Sequence, residues 1–403
     1  LANKAKAATT PAPTAHTANG SLAQGWRIVR FGDVVRDVNE AERNPVVAGL
    51  ERFVGLEHIE PENLHLKQWG LLADDEISFT KRFRKGQVLF GKRRAYQRKV
   101  AVADFDGICS SDILTFEPKG DDLLPELLPF IVQSEGFFEH ALGTSSGSLS
   151  PRTRWSQLQD YEFPVPPMDE QRRIADILCA AEASGQAITA IVRATDDLRR
   201  SLIAKHFSKL RCKPCPKGWR RNLLSKLFTN PKDTGHKDIE ILSVTIDGRV
   251  VPRESLDRSV IDKTGSEKYL RVLPGDLVYN TMRMWQGSCG VVDREGLVSP
   301  AYTVLRRFES QYSSAFWNLA FHSPWMLDVF TRYSTGVAAD RWRLYFRDFG
   351  RIEVNIPSPD VSQAIENEFG DLDEAYAQAT TKLAQERRLL ASLRDNLLRR
   401  KSP

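Results

Sequence analysis

The sequence predicts an α+β protein built from two duplicated globular units. Each unit is expected to hold a small, mostly antiparallel sheet, and two long helices separate the units by pairing as a coiled coil. Three observations predict this. Residues 168–210 and 359–401 carry apolar or small residues alternately three and four apart, the average period of 3.5 that a coiled-coil seam needs. The segments before them repeat one another. Within each copy, short β-rich runs follow one another too closely for crossover helices, which leaves antiparallel pairing.

Taken in order, residues 1–24 are rich in Ala, Thr and Pro and read as a disordered tail, with no apolar stretch of the kind a secretory signal needs. Unit A covers 25–166, a spacer helix 167–211, a linker 212–217, unit B 218–357, and a second spacer helix 358–403. Gly25-Trp26-Arg27 recurs as Gly218-Trp219-Arg220. From Gly86 and Gly275 the copies align without a gap: Arg94 falls on Arg283, Tyr96 on Trp285, Gln97 on Gln286, Gly107 on Gly296 and Ser110 on Ser299. Further on, Gly147 is matched with Gly336 and Arg152 with Arg341. A two-residue insertion after them brings Pro166 onto Pro357 and Ile174 onto Ile365.

The β-rich runs are 87–90, 100–103 and 113–116 in unit A, and 277–279, 290–292 and 303–305 in unit B. Helical segments are expected near 124–142 and 313–333. The first seam is Ile174, Ile177, Ala181, Ser184, Ile188, Ile191, Thr195, Leu198 and Leu202. The second is Ile365, Phe369, Leu372, Tyr376, Ala379, Leu383, a break at Glu386, then Leu390, Leu393 and Leu397. At 1.5 Å per residue each helix is ~60 Å long. Proline just before each start suits a helix N-terminus.

No run of about 18 consecutive apolar residues occurs, so no membrane span is expected. The five cysteines are odd in number and scattered. Cys212 and Cys215 form a lone CxxC without a second ligand pair, which argues against zinc and for a reducing cytosol. No metal site is expected. Cys109 and Cys289 fall in or beside strands and read as packing residues rather than nucleophiles. There is no P-loop, no Rossmann glycine fingerprint and no HExxH. Val165-Pro166-Pro167-Met168 lacks the leading amide or acid and the aromatic of an amino-methyltransferase site. No catalytic residue is assigned, and two matching modules without a catalytic constellation describe a binder.

What is bound is indicated by charge. The net charge is only +5, but residues 81–99 hold Lys81, Arg82, Arg84, Lys85, Lys92, Arg93, Arg94, Arg98 and Lys99 with no acid, next to Phe83, Phe90 and Tyr96. Such a stretch is either a solvated basic face or a phosphate-facing surface. Two basic modules joined by paired helices suit a bipartite ligand, and double-stranded DNA fits.

At this point the sequence resembles the specificity subunits of type I restriction-modification systems. The resemblance is carried by KGQVLFGKRRAYQRKVAVADFDGICSSDILTF in unit A, by PGDLVYNTMRMWQGSCGVV with GLVSPAYTVLRR in unit B, and by PVPPMDEQRRIADIL with its weaker echo NIPSPDVSQAIENEF. In the echo, Asp169-Glu170-Gln171-Arg172 is replaced by Asp360-Val361-Ser362-Gln363. The resemblance implies that each unit is a target recognition domain reading half of a split site. It implies that the two helices form an antiparallel coiled-coil spacer, and that a non-catalytic chain docks two methyltransferase (modification) subunits and the restriction (translocase/nuclease) subunits. It implies no cofactor on this chain; S-adenosylmethionine, ATP and magnesium would belong to the partners. The compartment it implies is the prokaryotic cytoplasm.

The expected DNA contacts in unit A are Lys92, Arg93, Arg94, Tyr96, Gln97, Arg98 and Lys99, because Arg forks onto guanine and Gln onto adenine. In unit B they are Met282, Arg283, Trp285, Gln286 and Gly287. Positions that differ between the copies are the better candidates for reading sequence, and the shared Tyr96/Trp285 position serves scaffold or contact. Ser/Thr/Gly-rich loops followed by arginines add Ser145, Ser146, Arg152 and Arg154, and Thr335, Arg341 and Arg343, either as phosphate ligands or as plain connections. Glu170, Arg172, Arg173 and Asp176 face outward, either towards a partner or into solvent. Two other readings stay open. One is a stand-alone bipartite DNA-binding regulator or architectural protein; the other is a nuclease or methyltransferase with a divergent site.

Overall fold

The computed structural model describes residues 24–75, 77–145, 151–236, 238–246, 248–256, 268–336 and 342–398. The expected tail (save residue 24) and the expected contacts Ser146 and Arg341 lie outside them. Two compact units result, one from residues up to 187 together with 382 onward, the other from 188–381. The division cuts both long helices near their middles instead of at the module ends, because each unit packs half of each helix against its own core.

In the first unit β1 (Arg27–Arg30), α1 (Phe31–Val34), β2 (Val35–Asp37), β3 (Glu40–Ala41), β4 (Arg52–Val54) and β5 (Gly70–Leu71) precede β6 (Lys81–Phe83), β7 (Val88–Gly91), β8 (Val100–Val102), β9 (Gly107–Cys109) and β10 (Ile113–Pro118). Helices α2 (Leu128–Gln133), α3 (Glu135–Gly143) and α4 (Trp155–Leu158) lead to β11 (Glu162–Val165) and α5 (Met168–Phe207). The central sheet runs β2-β10-β7-β8, antiparallel throughout, with Phe90 opposite both Leu114 and Val100. A second sheet runs β3-β6-β9-β4-β5 and contains one parallel pair, β4 with β9. β11 returns to β1, Val165 opposite Arg27. Phe31, Phe90, Phe116 and Phe137 are fully buried. Their rings meet edge to face, Phe31 with Phe116 at 5.4 Å and Phe90 with Phe137 at 5.6 Å between centroids, the arrangement the ring quadrupole favours.

In the second unit β12 (Arg220–Leu223), β13 (Phe228–Thr229), β14 (Leu242–Val244), β15 (Val250–Pro252), β16 (Leu270–Val272), β17 (Leu277–Asn280), β18 (Cys289–Val291), β19 (Gly296–Val298) and β20 (Tyr302–Arg307) come first. They are followed by α6 (Ser314–Phe321), α7 (Pro324–Tyr333), α8 (Phe346–Phe349), β21 (Glu353–Ile356) and α9 (Pro359–Leu398). The order β13-β20-β17-β18 repeats β2-β10-β7-β8, and β12-β21 repeats β1-β11. The duplication read from the sequence is thus a duplication of sheet topology. α3, α6 and α7 each start at a serine whose hydroxyl accepts from the N–H three residues on, Ser134 from Phe137, Ser313 from Phe316 and Ser323 from Met326, as helix caps do.

The altered start of α9 has a structural counterpart. Gln171 is buried, and its amide donates to the carbonyls of Pro166 at 3.0 Å and Asp122 at 2.9 Å while accepting from the N–H of Leu124. In the second copy Ser362 cannot reach that far, and the hydroxyl of Tyr312 donates instead to the Pro357 carbonyl at 2.7 Å. The equivalent buried carbonyl is thus satisfied by a different residue, as burial demands.

Both long helices are 40 residues. In the first unit Ile174, Ala175 and Leu178 share a core with Leu398, against which Leu390, Leu393 and Leu397 pack half-buried. In the second, Ile203, Phe207 and Leu210 share a core with Ile365 and Phe369, with Leu202 alongside. Start meets end in each unit, so α5 and α9 run antiparallel. On α9, Leu372, Ala379 and Leu383 are half-buried, Tyr376 is exposed, and Glu386 is half-buried. On α5 the expected seam needs correction. Ile174 and Ile188 are buried and Ile177, Ala181, Thr195 and Leu202 half-buried, but Ser184, Ile191 and Leu198 are exposed, the last two by 55% and 50%. The inward positions fall one residue later, at Leu178, Gly185, Val192, Arg199 and His206. Both spacings average 3.5. Apolar burial at the two ends decides between them, with Leu178 in the core of the first unit and Ile203 and Phe207 in that of the second; Arg199, donating to Asp373 at 2.8 Å, and His206, 2.9 Å from Glu368, line the same face. By length and composition alone, Met168–Arg211 is long and apolar enough to cross a membrane, although its apolar residues do not form an unbroken run.

Candidate nucleic-acid interface

In each unit a tight turn follows the central strand β7 or β17, and a returning segment crosses beneath it. The turn after β7 forms a single 3-10 turn, Ala95–Gln97, between Arg94 and Arg98. The turn after β17 forms one over Met284–Gln286, ending at Gly287. The returning segment docks by the same backbone bond in both copies. Thr153 donates its N–H to the Lys92 carbonyl at 3.0 Å, and Leu344 donates to that of Thr281 at 2.9 Å. Lys92 and Thr281 are equivalent in the ungapped alignment, so Thr153 matches Leu344 and Arg152 matches Arg343. This corrects the expected pairing of Arg152 with Arg341: the two extra residues of the second copy lie before this strand-like contact.

The charged side chains sort themselves by partner. Lys81 is 3.1 Å from Asp37, Arg84 is 2.9 Å from Glu40, and Arg98 is 2.5 Å from Glu135 with its guanidinium 5.0 Å from the Phe138 ring. Lys99 donates to the Leu56 carbonyl at 2.6 Å. Much of the basic run is therefore paired within the unit. Arg98 and Lys99 are half-buried. Alternating strand and turn geometry sends neighbouring side chains to different faces, which charge density along a sequence cannot show.

What remains outward differs between the copies. In the first, Arg94 and Tyr96 are exposed and Lys92 and Gln97 half-buried. Arg93 and Arg152 converge on one carboxylate, Asp112, at 3.5 and 3.1 Å. Arg154 is exposed at the start of α4, and Ser145 caps α3 through a hydrogen bond to the Leu142 carbonyl. In the second copy Arg283, Met282 and Gln286 are exposed. The Trp285 indole donates to the Met282 carbonyl at 3.1 Å and its ring meets Trp342 at 5.7 Å in a T-shaped pair. Thr335 and Arg343 are exposed and exchange backbone hydrogen bonds at 2.9 and 3.0 Å. Asp112, Trp342 and the exposed Tyr345 escaped the sequence reading. The usable signal for Asp112 was that Ala301 replaces it in the second copy. Glu170 pairs with Arg173 at 2.7 Å and Asp169 with Arg172 at 3.0 Å, so the outward charges at the start of α5 largely satisfy one another.

Burial pushes the Cys109 thiol up to about 12 and raises that of Cys289 as well, so neither is a thiolate nucleophile near neutrality. Among the described residues no group of three or more His, Cys, Asp or Glu side chains is placed to hold a metal.

A family model, the type I restriction modification DNA specificity domain, matches residues 73–191. The specificity subunit of the type I restriction enzyme EcoDI of Escherichia coli is 26% identical over 192 residues, 46% of this chain and 42% of that protein. That match therefore spans less than half of the relative's length. Among solved structures, a chain described under the complex assembly and conformational transition of the type I R-M system is 17% identical with a TM-score of 0.57, covering 94% of this chain and 99% of that one. The type I restriction-modification S subunit from M. genitalium is 13% identical with a TM-score of 0.54, covering 96% and 99%. These two likenesses are of fold. The match to the type I restriction modification DNA specificity domain is thus confined to residues 73–191, and the likeness along the whole length to chains of type I restriction-modification systems is one of fold.

Proposed function

We propose that this chain is the non-catalytic DNA-specificity subunit of a type I restriction-modification complex. Each unit reads one half of a bipartite site in duplex DNA, and the chain docks two methyltransferase subunits and, through the complex, restriction subunits in a prokaryotic cytoplasm. S-adenosylmethionine, ATP and magnesium are bound by those partners. The observation that carries the reading is the duplicated turn: one docking bond, Thr153–Lys92 in one copy and Leu344–Thr281 in the other, anchors turns that present different outward side chains. A common anchor suits contact with the uniform phosphate backbone, and differing side chains suit different base sequences.

Partner docking is supported by α5. In the second unit Ile191, Ala194 and Leu198 are exposed on α5, on a stripe flanking its packed face, and in the first unit Ala180, Ser184 and Ala187 continue that stripe and are exposed too. A second apolar stripe at heptad spacing is what a further helix packs on.

The test is methylome sequencing of the host with and without this gene. Loss of one gapped, bipartite adenine-methylation motif is expected. An unchanged methylome from an expressed system would overturn the reading.

A further inference from the structure

We infer that the Arg93–Asp112–Arg152 cluster of the first unit is a guanine reader, and that Asp112 positions the two arginines; the inference rests on the DNA-specificity reading above and names the base class of one half-site. Three observations carry it. Arg152 engages the carboxylate through Nε at 3.1 Å, which leaves the terminal end of its guanidinium facing away from Asp112, and the side chain is 54% exposed. That end is the planar fork that matches guanine O6 and N7. Arg93 reaches the other carboxylate oxygen through one terminal nitrogen at 3.5 Å. Backbone bonds fix both residues: Arg93 and Arg152 are bridged partners, and the Arg94 N–H donates to the Pro151 carbonyl at 2.8 Å.

Charge decides between phosphate and base. Asp112 is the less exposed member, at 17%, and it sits behind both cations. A carboxylate there repels a phosphate and weakens a plain backbone contact. A base edge carries no net charge, so the same carboxylate costs little against guanine and holds the forks in one orientation. Pre-orienting a long side chain also lowers the entropy lost on binding. The second unit lacks the device. Ala301 stands where Asp112 stands, Met282 where Arg93 stands, and only Arg343 corresponds to Arg152. Its exposed surface is instead built from Met282, the Trp285–Trp342 pair and Tyr345, so this half-site is read by different chemistry.

The experiment is methylome sequencing of cells that carry the chain with its modification partner. Wild type is compared with Asp112→Ala, Asp112→Asn and the double variant Met282→Arg with Ala301→Asp. A chain with unit A exchanged identifies which half-site the first unit reads. That half is expected to contain a required guanine. Both Asp112 variants should relax discrimination at that base pair by roughly tenfold or more, the range a bidentate contact supplies, with the other half-site unchanged. The double variant should add a guanine preference to the second half-site. A first half-site without a required G·C pair overturns the inference even if Asp112 variants fail to assemble. So does uniform loss of methylation in Asp112→Asn with the motif unchanged. Absence of any gapped motif overturns the function reading itself, and so the two failures are distinguishable.

Discussion

Arg98 donates to the Glu135 carboxylate from a left-handed backbone position, φ 51°, where the second copy has Gly287 at φ 89°. A non-glycine residue at positive φ is strained by about 1 kcal/mol, and here the ion pair and the Phe138 ring hold it. The pair is partly exposed, 24% and 41%, so after solvent screening it contributes about 0.5 kcal/mol, and the ring contact adds about as much. Arg98→Ala keeps the strain and loses both contacts, so thermal unfolding should fall by about 2–4 °C; Arg98→Gly should fall less. With its charge already compensated, Arg98→Ala should leave the slope of log K against log salt unchanged. Arg94→Ala should reduce that slope by about one. Equal salt effects would return Arg98 to the DNA-contacting set.

The long helices predict a separation of stability from assembly. Phe369 is 1% exposed and packs with Phe207 and Ile365 in the second unit, so Phe369→Ala should cost about 3–5 kcal/mol. Ile191 is 55% exposed, and Ile191→Asp should leave unfolding within about 0.5 kcal/mol of wild type. It should nonetheless reduce co-purification with the methyltransferase subunit. Urea unfolding and pull-down of tagged partner check both. Normal recovery of partner with Ile191→Asp would remove the docking role assigned to that stripe.

The helices also show what a sequence exposes and what it hides. Period and register on α9 are visible because large apolar residues mark one face, such as Ile365, Phe369, Leu390 and Leu393. On α5 two stripes share the same period, and the larger residues Ile191 and Leu198 lie on the wrong one. The packed stripe uses Arg199 and His206, whose acidic partners sit more than 150 positions away in the chain, at Asp373 and Glu368. The sheet units were legible because β-rich runs repeat with conserved spacing between copies. The site was legible only as a neighbourhood. Nothing local distinguishes Arg98, held by Glu135, from Arg94, which is exposed, and Asp112 became visible only once the fold brought Arg93 and Arg152 to it.

Thiol chemistry offers a check on burial. Cys109 and Cys289 are fully buried with raised thiol pKa values, while Cys179 and Cys212 are exposed. Iodoacetamide near pH 8 should alkylate Cys212 readily and leave Cys109 and Cys289 unmodified until the chain is denatured, because the thiolate is the reacting form. Mass spectrometry of native and urea-treated protein reads this directly. Labelling of Cys109 in the native state would contradict its place in the core.

Acid should weaken the first unit through Glu182. Burial alone pushes this carboxyl up, but hydrogen bonds from His65 and Gln186 outweigh it and hold the group below the usual glutamate range. The contacts lie at 3.3 and 3.0 Å. A depressed folded pKa means that the unfolded chain takes up the proton first. The stabilisation is therefore fully present above the unfolded value, about 4.3 for glutamate, and is lost as pH falls from there through the folded value. Glu117 shifts in the same direction, through Gln87 and Arg36 acting against burial, so wild type alone cannot isolate Glu182. The difference between wild type and Glu182→Gln can. Wild type should be the more stable at pH 7, and the gap should shrink below about pH 4 as the carboxylate is neutralised. Urea midpoints at pH 7, 5, 4 and 3 measure it, and a gap that widened towards acid would reverse the sign assigned to this pair.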